Sequence, residues 1–240
     1  MQASTKALVL STLKYSDSDL IVKCYTQEFG VLSFILKGIL KRKKGKIKTA
    51  YFQLLAQLQL EIVYKKNRSL HNIADVKLNY QYANLQTNVQ KTAVLMFLAE
   101  TLSNALQEEE KNEFLFSYIE TTMQWLDQQN QYANFHLLFL LKITKFLGFY
   151  PETKNMQFSY FNLQSGNFEN LSNTIYSVSG QNLTLLKQLL GINFDALSTI
   201  KINAKQRHSF LSMLLLYFEL HLGSFKKPKS LEVFTQVFNT

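Results

Sequence analysis

The chain has 240 residues, of which 47% are hydrophobic, and it carries a net charge of +9. This composition supplies enough apolar material for a core and excludes global disorder, while the single cysteine excludes an intrachain disulfide and a cysteine-rich zinc site. The N-terminus has no apolar secretory segment, and the most apolar stretch, 135–147, contains two lysines and is shorter than the ~20 residues of a membrane span. We therefore expect a chain that works in the cytoplasm without membrane association.

All of the net positive charge lies in the first third of the chain. Residues 1–80 contain 14 basic and 5 acidic side chains, whereas residues 81–240 contain 12 of each. A localised cationic field attracts polyanions and raises the rate at which they are encountered. The distribution predicts a cationic module followed by an electrically balanced remainder, which is typical of a protein that binds nucleic acid.

The cationic module has the apolar alternation of β-strands. Five strands are predicted, at 7–10, 20–26, 31–36, 52–63 and around 70–74. The fourth is the clearest, because its apolar residues alternate with a period of two. A turn is expected at Gly30, since glycine tolerates a positive φ. Five short antiparallel strands within about 75 residues are typical of the OB-fold, so we predict a five-stranded OB-fold barrel over 1–78.

After residue 79 the apolar positions recur every three or four residues, which predicts helices. The helical segments are 82–129, 132–148, 182–190, 204–222 and 230–238. Residues 152–180 lose this period and contain two short apolar segments that predict a hairpin. The predicted fold class is therefore α+β, with the barrel followed over 79–240 by a mostly α-helical domain that carries a small, cysteine-free β-hairpin insertion at 152–180.

The sequence contains no motif that indicates an enzyme. It has neither a glycine-rich phosphate loop nor a Gly-x-Ser-x-Gly nucleophile elbow. Its histidines are scattered without a second ligand at metal spacing, and we interpret each as a surface or core residue. They are His71, His136, His208 and His221. Cys24 lies within a predicted apolar strand, where we expect a core position. We predict no enzymatic activity, no cofactor and no bound metal.

Two clusters of basic residues lie between predicted strands. The first follows the third strand and contains Lys37, Lys41, Arg42, Lys43, Lys44, Lys46 and Lys48. The second lies in the next turn between strands and contains Lys65, Lys66 and Arg68. Solvated loops are the alternative interpretation, but charges of one sign at two turns of a small barrel favour contacts with nucleic acid.

The composition of these clusters also predicts how they bind. Lysine predominates over arginine, and lysine acts as a point charge on phosphates rather than as a bidentate reader of guanine. We therefore expect binding without sequence specificity. Stacking on bases is available to Phe34, Tyr51 and Tyr64, for which positions in the core are the alternative.

A series of short stretches matches one protein family over nearly the whole chain. Two of them are Thr26-Gln27-Glu28-Phe29-Gly30 and Leu147-Gly148-Phe149-Tyr150-Pro151. The others are 7–10, 15–22, 36–39, 51–55, 70–73, 160–163, 220–226 and 229–232. By the order and spacing of these stretches the chain resembles the RecO family of bacterial recombination-mediator proteins.

The resemblance implies an N-terminal OB-fold, a helical domain, and a role in DNA repair and homologous recombination of the RecF-pathway type. Members of the family bind single- and double-stranded DNA and anneal complementary strands. With a RecR partner they help RecA load onto DNA coated by single-strand-binding protein, whose acidic C-terminal tail they bind. The basic clusters would then contact DNA phosphates. Candidates for the acidic tail are the helical cations Lys142, Lys145, Lys205 and Arg207.

One departure from the family and two alternatives remain at this point. Many relatives carry a four-cysteine zinc site in the insertion, whereas residues 152–180 contain neither cysteine nor histidine. We expect the hairpin to be held by Phe158, Tyr160, Phe161 and Phe168 instead.

The alternatives are a general RNA-binding OB protein and a protein–protein scaffold whose basic loop meets an acidic partner. On the main interpretation the chain is a monomer that works at the nucleoid.

Overall fold

A computed structural model describes residues 1–41, 46–106 and 111–239. It confirms the α+β class, with a closed five-stranded barrel, helices and a small three-stranded sheet. The chain forms two compact units, residues 1–128 with 228–230 and residues 129–227 with 231–240. The domain boundary after residue 78 stays a prediction. Within the described ranges, no helix combines the length and apolar character that crossing a bilayer requires.

The barrel consists of five strands whose order is β1–β2–β3–β5–β4, with β4 pairing back to β1. The strands are β1 Gln2–Lys14, β2 Leu20–Thr26, β3 Gly30–Leu36, β4 Gln57–Val63 and β5 Leu70–Tyr80. Four of the pairings are antiparallel, and the expectation of antiparallel pairing throughout is wrong for the fifth. At that joint β3 and β5 run in parallel, with Ser33 opposite Leu70 and Phe34 opposite His71. In the three-strand meander, β1 and β3 run in the same direction, whereas β4 and β5 of the hairpin run in opposite directions. One of the two joints that close the barrel must therefore be parallel.

Alternate side chains of these strands fill the barrel. The cluster includes Val22, Cys24, Phe34, Leu58 and Leu60, all fully buried. The predicted core position of Cys24 is confirmed, and burial raises the pKa of its thiol.

The fourth strand begins five residues later than its sequence pattern predicts. Residues Thr49–Phe52 form a short 3₁₀ helix, and the buried Leu55 takes a positive φ of 55°. The Leu55 N–H donates to the Val9 carbonyl at 2.7 Å, which ties this corner to β1. The apolar alternation of 52–56 therefore comes from residues that fill the end of the barrel rather than from a strand.

Two helices complete the first compact unit, α1 Val89–Ala105 and α2 Glu113–Gln128. The turn before α1 is held by Asp127 of α2, whose carboxylate accepts the backbone N–H groups of Ala83, Asn84 and Leu85 at 2.7–2.8 Å. Because Asp127 is buried, these three bonds supply the hydrogen-bond donors that its carboxylate needs in the absence of water.

The second unit contains four helices and the small sheet. The helices are α3 Phe135–Phe146, α4 Gly180–Leu190, α5 Ala204–His221 and α6 Leu231–Asn239. The predicted hairpin is present as β6 Tyr160–Asn162 and β7 Asn167–Glu169. A third strand that the sequence analysis missed, β8 Ser177–Val178, pairs with β6. Two residues are too short to show a period of two.

Aromatic packing holds the sheet in the cysteine-free insertion. Phe161 and Phe168 are buried with ring centroids 5.0 Å apart, whereas the other two predicted aromatics, Phe158 and Tyr160, are half-buried. Tyr217 of α5 packs edge-on against Phe161 at 5.9 Å. Apolar and aromatic contacts thus lie in the insertion, where many members of the family that the chain resembles carry a zinc site.

Candidate nucleic-acid interface

The first basic cluster begins where β3 ends, and its start is fixed to the β1–β2 turn. Asp19 in that turn accepts the backbone N–H of Gly38 at 2.8 Å, and Leu40 N–H donates to the Ser18 carbonyl at 2.9 Å. The bond from Gly38 and the Ser18 hydroxyl lower the pKa of Asp19, with Lys37 adding a smaller Coulombic effect. Lys37 therefore projects from a defined corner of the barrel rather than from a loose chain.

The described lysines of this cluster face solvent. Lys37, Lys41, Lys46 and Lys48 are all exposed. Within the described part of the chain, none of the four has a carboxylate oxygen within 4.0 Å. The other three predicted members, Arg42, Lys43 and Lys44, lie outside the described residues. The described lysines therefore produce a positive field that no ion pair among the described residues offsets.

The second basic cluster forms the turn between β4 and β5. Lys65, Lys66 and Arg68 are exposed, and the turn is closed by the Arg68 N–H donating to the Lys65 carbonyl at 3.1 Å. This turn enters β5 opposite Ser33, four residues before Lys37 along β3. Because β3 and β5 run in parallel, the second cluster lies toward the beginning of β3, whereas the first cluster follows its end. Ser33 and Lys37 alone are about 13 Å apart at roughly 3.3 Å per residue, so the clusters are separated by more than this length along the strand, which an extended polyanion can span.

Two other lysines of the barrel, Lys6 and Lys23, already have partners within the protein. Lys6 forms an ion pair with Glu120 at 3.1 Å, and Lys23 donates to the Ser103 carbonyl at 3.0 Å. Among the described residues, the members of the two basic clusters differ from Lys6 in having no carboxylate within 4.0 Å and from Lys23 in being exposed.

The three candidate stacking residues have different environments. Phe34 is fully buried in the barrel, so it cannot stack on a base, and for this residue the alternative of a core position holds. Tyr51 and Tyr64 are half-buried. The Tyr64 ring lies between two others, with centroid distances of 4.6 Å to Phe29 and 5.1 Å to His71. The sequence alone does not indicate a role for Phe29, because its partner Tyr64 lies 35 positions away along the chain.

The four helical cations divide into two kinds. Lys145 on α3 and Lys205 on α5 are exposed. Lys142 is half-buried and donates to the Asn193 amide oxygen at 3.0 Å, while Arg207 donates through Nε to the Asn134 amide oxygen at 3.0 Å. Burial lowers the pKa of both Lys142 and Arg207. The exposed pair is therefore the more accessible to an acidic ligand.

Three of the four histidines occupy structural positions, and His208 is exposed on α5. His71 is buried in the barrel and its Nδ1 accepts the Lys65 N–H at 3.4 Å; burial, followed by the nearby Arg68 charge, lowers its pKa. His136 is buried on α3, and His221 Nε2 lies 2.9 Å from the Leu163 carbonyl oxygen. Across 1–41, 46–106 and 111–239, no three side chains of the metal-ligating types come together.

Comparison with known proteins supports the resemblance inferred from the sequence. The family model described as Recombination protein O N terminal matches residues 1–82, and the model described as Recombination protein O C terminal matches residues 86–232. The chain is 47% identical over 238 residues to the DNA repair protein RecO of Christiangramia forsetii, covering 99% of this chain and all of the relative. The corresponding proteins of Flavobacterium psychrophilum and Bacteroides fragilis are 39% and 32% identical over the full length of both chains.

Proposed function

The chain belongs to the RecO family of DNA repair and recombination proteins, and we propose that it is a recombination mediator that binds DNA through the cations of its barrel. On this proposal it binds single- and double-stranded DNA, anneals complementary strands, and acts with a RecR-type partner to help RecA load onto DNA coated by single-strand-binding protein. It works as a monomer at the nucleoid and catalyses no bond-making step.

The observation that carries the proposal is the pair of exposed basic clusters, whose described members have no carboxylate within 4.0 Å among the described residues. Lys37, Lys41, Lys46 and Lys48 form the described part of the first, and the β4–β5 turn forms the second. Their charges are available to phosphates at no cost in broken ion pairs. Each phosphate that a lysine neutralises releases condensed counterions, so binding is expected to weaken steeply as salt is raised.

Strand annealing follows from the same charges. Two complementary strands repel each other through their phosphates, and a surface that neutralises both lowers that repulsion. Because lysines contact the backbone without reading bases, such a surface accepts any pair of complementary sequences. The protein then contributes electrostatics, and base pairing contributes the sequence recognition.

The second compact unit is proposed to bind the acidic tail of single-strand-binding protein. Lys145 and Lys205 are exposed on α3 and α5, two helices that pack together. Lys142 and Arg207 bond to the side chains of Asn193 and Asn134, so Lys145 and Lys205 supply the exposed charges of these helices. Charge reversal at Lys145 and Lys205 is expected to weaken binding of an acidic tail peptide and to leave DNA binding by the barrel intact.

Fluorescence anisotropy with labelled single-stranded DNA over a salt series tests the proposed DNA contact. The variant K37Q/K41Q/K46Q removes three charges from the first cluster, and K77Q/K154Q/K201Q removes three exposed charges elsewhere. At about 0.7 counterions per phosphate contact on a single strand, the cluster variant should lower the salt slope by about 2. Its affinity should fall at least tenfold, with little change in the control.

Three outcomes count against the proposal. If wild type fails to bind DNA at moderate salt, the scaffold alternative gains support, and an acidic partner becomes the ligand of the basic loop. If wild type prefers single-stranded RNA of the same length and does not anneal DNA, the general RNA-binding alternative is favoured. Equal binding by the cluster variant and wild type would move the contact away from the first cluster.

A further inference from the structure

A cleft of about 310 Å³ opens in the barrel wall where β3 extends past the beginning of β5. The two strands pair only from Ser33 and Leu70 onward, so Val31 and Leu32 form one wall of the opening. The turn before β3 and the β4–β5 turn form the other sides. The lining residues used below are Glu28, Phe29, Tyr64, Lys66, Arg68 and Lys111.

The walls of the cleft are held in place before any ligand arrives. Thr26 Oγ accepts the Phe29 N–H at 3.1 Å and donates to the Gly30 carbonyl at 2.7 Å, which locks the turn that carries Phe29. Tyr64 exchanges backbone hydrogen bonds with Met1 at 2.9 and 3.0 Å. The rings of Phe29, Tyr64 and His71 are stacked on one another. A preformed site of this kind loses little conformational entropy when a ligand binds.

The charges around the cleft favour an anion. Glu28 is the one acidic residue of the described lining, and it is held in an ion pair with Lys111 at 2.9 Å, which also pairs with Glu113 at 2.8 Å. Lys66 and Arg68 are exposed on the opposite side, and no described carboxylate lies within 4.0 Å of either. The edges of stacked aromatic rings carry partial positive charge, which adds to this preference. The cleft thus combines two available cations with an apolar and aromatic wall.

We infer that this cleft binds a single unpaired nucleotide of a DNA strand, with its phosphate on Lys66 and Arg68 and its base against the wall of Phe29, Leu32 and Tyr64. The inference rests on the proposed DNA-binding function and assigns it a subsite for single strands. A volume of about 310 Å³ is at the lower limit of ligand pockets and admits one small aromatic ligand. A paired base brings its complementary strand with it and does not fit, so the subsite distinguishes single strands from duplex.

The first test compares single-stranded and duplex DNA of equal length by fluorescence anisotropy. K66Q/R68Q removes the two cations of the cleft, and K77Q/K154Q removes two exposed charges outside it. The cleft variant should bind single-stranded DNA at least fivefold more weakly than the control does and lose about 1.4 from the salt slope. Its affinity for duplex should fall less than its affinity for single-stranded DNA, because a duplex meets these two charges only through its phosphates.

The second test locates the nucleotide. In the methyl spectrum of the full chain, thymidine 5′-monophosphate should shift Val31 and Leu32, which line the cleft, and leave Val9 and Leu58 of the barrel core unchanged. Thymidine alone and inorganic phosphate alone should each produce smaller shifts. The same titration on K66Q/R68Q should give no shift at Val31 or Leu32.

The outcomes separate the subsite from the proposed function. If wild type binds neither form of DNA, the DNA-binding proposal itself fails. If wild type binds DNA but K66Q/R68Q weakens single strands and duplex equally, the cations act as a general phosphate surface and the subsite is refuted. Unchanged Val31 and Leu32 methyl signals in the presence of the nucleotide overturn it as well.

Discussion

Protonation of one buried histidine is predicted to control the stability of the protein in mild acid. His136 on α3 is fully buried, with its ring 4.6 Å from Phe234 in an edge-on arrangement. Burial, and to a smaller extent the Arg207 charge, lowers the pKa of His136 from 6.5 to about 3. Below pH 6.5 the unfolded chain therefore binds a proton that the folded chain rejects, and the folded state loses stability as the pH falls toward 3.

The size of this effect follows from the pKa difference. One pKa unit corresponds to about 1.4 kcal/mol, so the full difference of about 3.5 units is worth about 5 kcal/mol. Between about pH 7.5 and about pH 5, this proton lowers the free energy of unfolding by about 2 kcal/mol. Leucine is close to histidine in volume and does not titrate. The His136→Leu variant should therefore not show this loss of unfolding free energy between the two pH values.

Urea unfolding followed by circular dichroism measures the effect at the two pH values. His208→Leu is the matched control, because His208 is an exposed histidine on α5. Wild type and the control should lose about 2 kcal/mol more than His136→Leu on acidification. The reasoning is refuted if all three proteins lose the same free energy of unfolding, whatever their absolute stabilities at neutral pH.

Three further predictions concern the two units and the cysteine-free insertion. Asp127→Ala leaves three backbone N–H groups without their acceptor and should cost about 3–5 kcal/mol in urea unfolding, whereas the exposed Asp195→Ala should cost less than about 0.5. Gly166→Ala should lower the free energy of unfolding by more than about 1 kcal/mol, because Gly166 has a φ of +71° and an added Cβ would lie 2.9 Å from the Tyr217 hydroxyl. Gly223→Ala, where an added Cβ meets open space, should be close to neutral. A strong chelator should leave the melting temperature unchanged, since residues 152–180 contain neither cysteine nor histidine; a lower melting temperature would reveal a metal.

The barrel was largely predictable because its signals are local. The alternation that marks β4 from Gln57 onward and the turn at Gly30 are properties of adjacent residues. The late start of β4 was not predictable, because Leu55 combines its positive φ with a hydrogen bond to Val9, which lies nearly fifty positions away. The parallel pairing of β3 with β5 was not predictable for the same reason, because it joins residues that are far apart along the chain.

The candidate interface was predictable as charge but not as shape. Runs of lysine are visible in the sequence, and the described ones are exposed as expected. The cleft beside the β4–β5 turn was not foreseen, since its walls come from residues near 30, 65 and 111 that meet only in the folded barrel. Phe34 illustrates the opposite case, an aromatic beside a basic run whose side chain points into the core.

Strand annealing is the most direct measurement of the central claim. Two complementary oligonucleotides, one with a fluorophore and one with a quencher, are mixed with wild type or with K37Q/K41Q/K46Q. The account predicts that wild type accelerates annealing, that raised salt abolishes the acceleration, and that the variant loses most of it while K77Q/K154Q/K201Q retains it. Equal acceleration by wild type and the cluster variant, or none by wild type, would contradict the account.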